Sequence, residues 1–439
     1  MTRQTTMING YTPGKGTLPP EDEARIARRA ALLGPAYRLF YETPVHLVRG
    51  EGVWLYDRDG KAHLDTYNNV ASVGHCHPRV VAAMADQAAT LATHTRYLHD
   101  AVLDYAERLL SHFPAPLTHV MFTCTGSEAN DLALRIARAK TGGTGIIVTD
   151  NAYHGVTLAT AEMSMSIGPA VAPGPTVVPV PAPTAANYPG DLGAGFAAAV
   201  TAACDRMANQ GIKPCALIVD TIFSSDAVLP DPAGFLQPAA AAIRAAGGLF
   251  IADEVQPGFG RTGSQMWGFQ RHGLVPDMVS LGKPMGNGYP MAGLVVRPEI
   301  VADFGAKSRY FNTFGGNAVA ASVGMAVLNV IRDEGLQANA LHTGRAFHDG
   351  LAALARLHPC LGQVRSAGLF LGQDIIDATG APDPARAARI VNALREARVL
   401  ISATGPRGHI LKIRPPLVFT TEHVAIFLDR LETVLEHGR

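Results

Sequence analysis

Short apolar runs alternate with amphipathic or alanine-rich segments through the middle of the chain, and this alternation predicts the fold. The runs predicted as β-strands are residues 118–124, 145–150, 216–220, 249–253 and 277–281. Between them, residues 127–140 and 234–246 have the apolar spacing or the alanine content of helices. Strands that alternate with helices form a mostly parallel sheet with right-handed crossovers. The sequence therefore predicts an α/β fold whose large domain has three layers, with helices on both faces of the sheet.

The segments outside this regular alternation have a different composition. Residues 1–20 are polar and rich in Gly, Thr and Pro, which predicts a loose arm before a helix at residues 21–33. Residues 53–65 alternate apolar and polar side chains around an Asp-Gly pair, as a β-hairpin does. Residues 163–190 are rich in Pro, Ala and Gly and predict an irregular excursion over the large domain.

The C-terminal part of the chain predicts a second, smaller α+β domain. Two long helices are predicted at residues 318–331 and 336–357, followed by short strands and helices. We therefore divide the chain into three segments. Residues 1–75 form the arm and the N-terminal part of the small domain, residues 76–315 form the large domain, and residues 316–439 complete the small domain.

The charge balance limits the classes of partner. The chain has 37 Lys plus Arg and 37 Asp plus Glu, so no net field favours nucleic acid or an anionic membrane surface. The first residues lack the apolar core of a signal peptide, and no apolar run is long enough to cross a bilayer. These features predict a cytoplasmic protein that binds neither nucleic acid nor membrane.

The cysteines argue against a disulfide framework and against a metal site. The five cysteines are scattered along the chain and have no CxxC spacing. We interpret them as free thiols, most of them buried, and predict no zinc or other metal site.

Opposite charges follow two of the predicted strands. One strand ends in Asp253 and the next ends just before Lys283. Because ligands of α/β proteins bind beyond the carboxyl ends of parallel strands, the two side chains are expected in one crevice. A lysine amine and a carboxylate are the pair that pyridoxal phosphate requires. Taken singly, each residue has an ordinary explanation, since Asp often caps a helix and Lys is usually exposed.

Three further motifs suit a flat, phosphorylated ligand. Gly126 and Ser127 lie between a strand and a helix, where backbone N–H groups form a dianion site, although a helix N-cap would also explain them. Tyr153 follows another strand, where its ring would either stack on a planar cofactor or pack in the core. Thr313 precedes Gly315-Gly316, which allows close approach of a phosphate but is also a common turn.

In their order and approximate spacing, these four motifs resemble those of the class III pyridoxal-phosphate aminotransferases of fold type I. The resemblance runs from about Tyr41 to the C-terminus, and it implies a homodimer or tetramer with active sites at the subunit interface. The resemblance implies that Lys283 forms the Schiff base with the cofactor and that Asp253 pairs with its pyridine nitrogen. Val255 and Tyr153 would pack on the two ring faces, and Gln256 would hydrogen-bond the 3′-oxygen. Gly126 and Ser127 would hold the cofactor phosphate, together with Thr313 of the partner subunit.

Longer motifs are similar to one branch, the ethanolamine-phosphate and phosphohydroxylysine phospho-lyases. They read YNNVASVGHCHP, TRYLHDAVLDYAERL, TGSEANDLALRIAR, YFNTFGG and VLISATGPRGHILKIRPPLVF. Enzymes of that branch eliminate phosphate from an amino alcohol phosphate and yield an aldehyde and ammonia. Two positions depart from the ordinary transaminase pattern. Lys412 stands where transaminases of keto acids commonly carry an Arg, and Ser225 stands where they carry the Glu that screens it.

Basic residues near the C-terminus are candidates for the substrate phosphate. Alternation along a strand places Lys412 and Arg414 on one face, with Arg407 a few residues earlier. Arg and Lys both suit a phosphate dianion, although all three would also be explained as solvated charges on a β-turn-β segment. Asn69 is expected near the substrate by analogy with the family, or is simply a turn residue.

These observations favour a phospho-lyase that acts on O-phosphoethanolamine or a related amino alcohol phosphate. The alternative within enzymes is an omega-type transaminase that moves an amino group from an amine or amino acid to a keto acid such as pyruvate. If the protein is not an enzyme, the alternative is a non-catalytic binding protein that has kept the fold. The presence of Asp253, Gln256 and Lys283 argues against it.

Overall fold

A seven-stranded sheet forms the centre of the computed structural model, which describes residues 7–15 and 18–437. The elements that precede the sheet are α1 (Pro20–Leu33), β1 (Leu47–Glu51), β2 (Trp54–Asp57), β3 (Ala62–Asp65), α2 (Pro78–Thr90) and α3 (Asp100–Leu110). The elements of the sheet and its covering helices are β4 (His119–Thr123), α4 (Gly126–Thr141), β5 (Gly145–Thr149), α5 (Leu158–Glu162), β6 (Val177–Val180), α6 (Leu192–Asn209), β7 (Pro214–Asp220), α7 (Leu236–Ala245), β8 (Leu249–Asp253), β9 (Met278–Leu281), β10 (Ala292–Val296) and α8 (Pro298–Lys307).

The sheet has the strand order β4-β10-β9-β8-β7-β5-β6, and only β10 runs antiparallel to its neighbours. The strands are apolar on both faces because helices cover both. In β5, Ile146 and Val148 pack with α4 and α8 on one face, while Ile147 packs with α6 and α7 on the other. Near-continuous apolar strands are typical of such doubly covered sheets. The predicted three-layer, mostly parallel α/β architecture is confirmed.

Two strands of this sheet, β6 and β10, were not predicted from the sequence. Residues 163–190 are not wholly irregular, since β6 lies within them and pairs in parallel with β5. Pro179 argued against predicting a strand here, since proline lacks the N–H that a strand pairs. Proline is tolerated in β6 because β6 is at the edge of the sheet. Strand β10 is a short, wholly apolar run, and periodicity cannot distinguish such a run from a buried helical segment.

The remaining elements build two smaller sheets with their helices. They are α9 (Ala318–Asp333), α10 (Leu336–Leu357), β11 (Leu361–Ala367), β12 (Phe370–Ile375), α11 (Pro384–Glu396), β13 (Val399–Leu400), β14 (Ser402–Thr404), β15 (Ile410–Ile413) and α12 (Thr421–His437). One sheet has the order β1-β2-β3-β13, so that strands from both ends of the chain pair with each other. The other has the order β11-β12-β15-β14. The domain boundaries at residues 75 and 315 stay a prediction.

The N-terminal arm is partly packed where the structure describes it: residues 7–11 are buried or half-buried, whereas residues 12–15 are exposed. The prediction of a loose segment is therefore wrong for residues 7–11. Residues 1–6 and 16–17 of the predicted arm lie outside the described residues. Asn9 is buried, its carbonyl accepts a hydrogen bond from Tyr41 N at 2.6 Å, and its Oδ1 accepts one from Ser402 Oγ at 3.0 Å. These partners are distant in sequence, so local composition does not reveal them.

The structure also bears on membrane-spanning helices and on the state of the cysteines. Within the part of the chain that it describes, no helix is both long and apolar enough to cross a membrane, and the cytoplasmic location stays a prediction. All five cysteines are free thiols, of which Cys204 and Cys215 are buried and Cys76 is exposed.

Candidate active site

Asp253 and Lys283 meet at the carboxyl edge of the central sheet. Asp253 is the last residue of β8 and pairs with Ser280 of β9, and Lys283 follows β9 by two residues. Both line one pocket with five other residues that the sequence singled out: Gly126, Ser127, Tyr153, Val255 and Gln256. The crevice expected from the strand-end rule is therefore present, and it gathers the first three motifs.

The Asp253 carboxylate is held as a buried anion. Its Oδ2 accepts hydrogen bonds from Asn130 Nδ2 at 2.9 Å and lies 2.8 Å from His154 Nδ1, and its Oδ1 accepts one from Val255 N at 3.0 Å. Burial alone would raise the pKa of Asp253, but the hydrogen bonds from His154 and Asn130 outweigh burial and hold this pKa below its usual value. A carboxylate that stays ionised in a buried pocket can pair with a protonated ring nitrogen.

Lys283 is half-buried and lines the same pocket. Its Nζ lies 5.9 Å from the centroid of the Tyr153 ring. Burial and the nearby charge of Arg414 lower the pKa of Lys283 to about 8, against the opposing effect of Asp253. A lysine with such a pKa presents far more neutral, nucleophilic amine near neutral pH than an unperturbed lysine does.

The N-terminus of α4 forms the third wall of the pocket. The helix is capped by Thr125, whose Oγ1 accepts from Glu128 N at 3.1 Å while Glu128 Oε2 accepts from Thr125 N at 2.9 Å. Ser127 is therefore not the N-cap, and its Oγ instead accepts from Val156 N at 3.1 Å. The first N–H groups of the helix, at Gly126 and Ser127, lie beside the pocket, where they suit an anion.

Two glycines leave room that side chains would occupy. A Cβ on Gly126 would lie 2.9 Å from Val255 Cγ2, and a Cβ on Gly155 would lie 2.6 Å from Ser127 Oγ. Val255 therefore approaches the start of α4 closely, and its backbone N–H donates to Asp253 Oδ1. The pocket thus has an aspartate that could pair with a ring nitrogen, and an apolar side chain and an aromatic ring that could pack on the two faces of that ring. It also has a lysine that could react with an aldehyde and a helix N-terminus that could bind a phosphate. These features fit pyridoxal 5′-phosphate.

Arg414 and Asn69 follow strands of the smaller sheets and lie beside this pocket without lining it. Arg414 lies just beyond β15 and is buried; its Nη1 donates to Asn69 Oδ1 at 2.8 Å and to Gln256 Oε1 at 2.5 Å. The guanidinium also stacks over the Tyr67 ring, 4.3 Å from its centroid. Arg414 is thus linked directly to the pocket residue Gln256 and is not a solvated surface charge.

Lys412 lies in β15, two residues before Arg414 and so on the same face of the strand, and it is also buried. Its Nζ is 5.7 Å from the centroid of the Phe370 ring. Burial and the charges of Arg414 and Lys283 lower the pKa of Lys412 well below its usual value, although Asp220 opposes this shift. A bound dianion would favour the protonated form of this amine.

The two remaining candidates, Arg407 and Thr313, do not line this pocket either. Arg407 is exposed on the turn between β14 and β15. Thr313 is exposed in the loop that precedes α9. The structure does not bring either residue among those that line the Lys283 pocket.

Sequence reasoning missed four residues of the pocket: Asn130, His154, Gly155 and Asp220. A signal for Asn130 was available, because it lies four residues after Gly126 and so faces the same side of α4. Asp220 ends β7 and pairs with Asp253 in the neighbouring strand, so the strand-end rule also applied to it. His154 had no such signal, since it follows Tyr153 in an irregular loop.

The fold and the site together define a fold type I enzyme that uses pyridoxal 5′-phosphate. The family model described as "Aminotransferase class-III" matches residues 40–435. The chain belongs to this family.

Two curated proteins and one solved structure show how the relatives differ in name. An alanine–glyoxylate aminotransferase 2-like protein of Drosophila melanogaster is 40% identical over 412 residues, covering 90% of this chain and 83% of the relative. Ethanolamine-phosphate phospho-lyase homolog 1 of Caenorhabditis elegans is 35% identical over 436 residues, covering 94% and 93%. The structure of a phospholyase from Arthrobacter in complex with phosphoethanolamine is 43% identical, with a TM-score of 0.91, and covers 94% of this chain and 99% of that chain.

We predict that Gly126→Ala weakens cofactor binding. The new Cβ would lie 2.9 Å from Val255 Cγ2, so that either the start of α4 or Val255 must shift. Overpacking costs about 1–3 kcal/mol, or roughly a 5- to 150-fold rise in Kd when it acts on the bound state. The measurement is a titration of cofactor-free protein with pyridoxal phosphate, followed by protein fluorescence.

Gly305→Ala is the matched control, because Gly305 lies in α8 and a Cβ there would have no neighbour within 4 Å. An unchanged Kd in Gly126→Ala would contradict the assignment of Gly126 to the phosphate cradle.

Proposed function

We propose that this enzyme is a phospho-lyase that eliminates phosphate from O-phosphoethanolamine or a related amino alcohol phosphate. Elimination releases inorganic phosphate and leaves an enamine, which one water molecule hydrolyses to an aldehyde and ammonia. The observation that carries the proposal is the environment of Arg414. This guanidinium is buried beside the Lys283 pocket, and its hydrogen bonds end on the neutral amide oxygens of Asn69 and Gln256.

A buried guanidinium without a paired anion is costly, since Arg stays charged and desolvation of a charge must be compensated. Among the residues that the structure describes, no carboxylate forms an ion pair with Arg414, whose side-chain hydrogen bonds go to Asn69 and Gln256. Asp226 is buried close to Lys412, and burial raises the pKa of Asp226 to about 8, so it is largely neutral at pH 7. A phosphate dianion would supply the missing negative charge to Arg414 and would favour protonation of Lys412.

The residues around the pocket support the chemistry of an elimination. When bound, pyridoxal phosphate withdraws electrons from the substrate carbon that carries the amine and makes its C–H bond acidic. Asp253 would keep the ring nitrogen protonated, and the amine of Lys283 would take the proton from that carbon. The C–O bond to phosphate then breaks, and the oxygen leaves with the bonding electrons. Arg414 and Lys412 would stabilise the charge that develops on this leaving group.

The cofactor contacts that we propose follow the family pattern. Gly126 and Ser127 would hold the cofactor phosphate, Val255 and Tyr153 would pack on the two ring faces, and Gln256 would donate to the 3′-oxygen. Support comes from their gathering in one pocket with Lys283.

Two relatives support the phospho-lyase reaction by name. The C. elegans protein is called an ethanolamine-phosphate phospho-lyase homolog, and the Arthrobacter phospholyase was solved with phosphoethanolamine. The position of Ser225 is a further support. Its carbonyl accepts a hydrogen bond from Asn151 Nδ2 at 2.7 Å, and its short side chain supplies no carboxylate to screen a substrate-binding cation.

A transaminase is the second candidate, because the Drosophila relative at 40% identity is named an aminotransferase. A buried Arg414 would also bind the carboxylate of an amino acid or keto acid. The two reactions differ in their need for a second substrate. We expect product from O-phosphoethanolamine alone, and little alanine from an amine offered with pyruvate. The opposite pattern in these two assays would favour the transaminase.

We propose further that the enzyme is a homodimer or tetramer in which Thr313 reaches the cofactor phosphate of the partner subunit. Thr313 is exposed in its own chain. Large apolar side chains near it in sequence or on the neighbouring loop are exposed as well: Phe314 is 69% exposed, Tyr97 67% and Leu98 95%. Such exposed apolar side chains are typical of a subunit interface.

A further inference from the structure

A chain of side-chain hydrogen bonds runs from the central sheet to Arg414. Ser224, in the loop after β7, is fully buried and its Oγ donates to Asp220 Oδ2 in a close contact. Gln256 Nε2 donates to Ser224 Oγ at 2.6 Å. Arg414 Nη1 in turn donates to Gln256 Oε1 at 2.5 Å. The chain thus reads Arg414, Gln256, Ser224 and Asp220, with each residue donating to the next.

The direction of this chain is imposed by its ends. Arginine only donates hydrogen bonds, so it requires the oxygen end of the Gln256 amide. The NH2 end of that amide must then face Ser224, whose oxygen accepts it. Ser224 has a single hydroxyl proton, and it gives that proton to Asp220, whose carboxylate also accepts from Ile222 N at 3.0 Å and from Ser224 N at 3.2 Å. With Asp220 ionised, only one arrangement of the four side chains forms all three of these hydrogen bonds.

We propose that Ser224 is a positioning residue, which fixes the orientation of the Gln256 amide and thereby holds Arg414 ready for the phosphate of the substrate. This inference rests on the proposed function, because it gives Arg414 the role of phosphate ligand. Ser224 itself does not line the pocket. Its effect on the ligand must pass through Gln256 and Arg414.

Removal of the Ser224 hydroxyl leaves the NH2 end of Gln256 without its acceptor. The amide is then free to turn its NH2 group toward Arg414, where two donors face each other. Arg414 loses one of its two fixed acceptors and keeps only Asn69. The guanidinium is then less well ordered before the ligand arrives, and the ligand must supply that ordering.

The test is a double-mutant cycle on the binding of inorganic phosphate to the cofactor-loaded enzyme, measured by calorimetry. The variants are Ser224→Ala, Arg414→Ala and the double variant. Ser224→Ala is expected to weaken phosphate binding about tenfold, the loss of roughly one hydrogen bond to a charged group. In the Arg414→Ala background the same substitution is expected to change Kd less than twofold, because residues of one network are not additive.

A control and a second readout separate positioning from general loss of structure. Ser366→Ala removes a hydroxyl of β11 that contacts His348 Nδ1 at 2.9 Å, outside this chain of hydrogen bonds, and should leave phosphate affinity unchanged. Ser224→Ala should raise KM for O-phosphoethanolamine more than it changes the binding of ethanolamine, which has no phosphate. An equal loss for both ligands would overturn the proposal.

The outcomes distinguish this inference from the proposed function. If the enzyme releases no phosphate from O-phosphoethanolamine, but inorganic phosphate binding still depends on Arg414 and on Ser224 through Arg414, the function fails and the positioning role stands. If phosphate is released, but Ser224→Ala is neutral or its loss is fully additive with Arg414→Ala, the positioning role is wrong. Absence of Arg414-dependent phosphate binding in the parent enzyme also overturns it.

Discussion

Replacement of Lys283 by alanine is expected to abolish turnover and to remove the visible absorption of the lysine-bound cofactor. Lys283 is the lysine that lines the pocket with Asp253, and it lies 5.9 Å from the centroid of the Tyr153 ring. Burial lowers its pKa to about 8, which makes the neutral amine available to attack an aldehyde. Loss of a residue that forms the covalent bond and moves the proton typically lowers rate by several powers of ten.

Reduction with borohydride followed by peptide mass mapping provides a readout that does not depend on activity. In the parent enzyme the cofactor should remain attached to the peptide that contains Lys283, and in Lys283→Ala it should not remain attached. Lys307→Ala is the control, since Lys307 is a largely exposed lysine of α8. Normal activity in Lys283→Ala would overturn the whole assignment.

The second large effect concerns the choice between phosphorylated and plain amines. Arg414→Ala or Lys412→Ala should lower kcat/KM for O-phosphoethanolamine by about 10- to 150-fold each, from the ~1.5–3 kcal/mol of a hydrogen bond to a charged group. Both side chains are buried, and Arg414 contacts the pocket residue Gln256 directly. The binding of ethanolamine, measured as inhibition, should change far less.

Arg332→Ala supplies the control for loss of a positive charge, since Arg332 is an exposed residue near the end of α9. Equal losses for phosphorylated and plain amines in the Arg414 and Lys412 variants would contradict a phosphate pocket. A melting temperature measured for each variant separates a binding defect from partial unfolding.

Much of the site could be predicted because it follows from local rules. Asp253 and Lys283 each come directly after an apolar run, and strand ends of a parallel sheet meet at one edge. Gly126 similarly marks the turn from a strand into a helix. Each of these features depends only on residues that are consecutive in the sequence, and the order of the motifs then identified the family. The sheet and its covering helices were predictable for the same reason.

Other parts of the site depend on contacts between distant residues. Alternation along β15 placed Lys412 and Arg414 on one face but could not show what that face contacts. The pairing of Arg414 with Asn69 joins residues 345 positions apart. The burial of Asn9 likewise depends on Ser402, from the other end of the chain. No local pattern encodes such pairs, so the arginine was open to an interpretation as a surface charge and the arm to one as a loose segment.

The most direct test of the proposed reaction is a product count without any keto acid. Purified enzyme loaded with pyridoxal phosphate is incubated with O-phosphoethanolamine alone, and inorganic phosphate and acetaldehyde are assayed together. We predict sustained release of both in equal amounts, over many equivalents per active site. A transaminase would stop after one equivalent of amine, since its cofactor needs a keto acid to be restored. If neither product is released, while an amine and pyruvate yield alanine, the phospho-lyase account is contradicted.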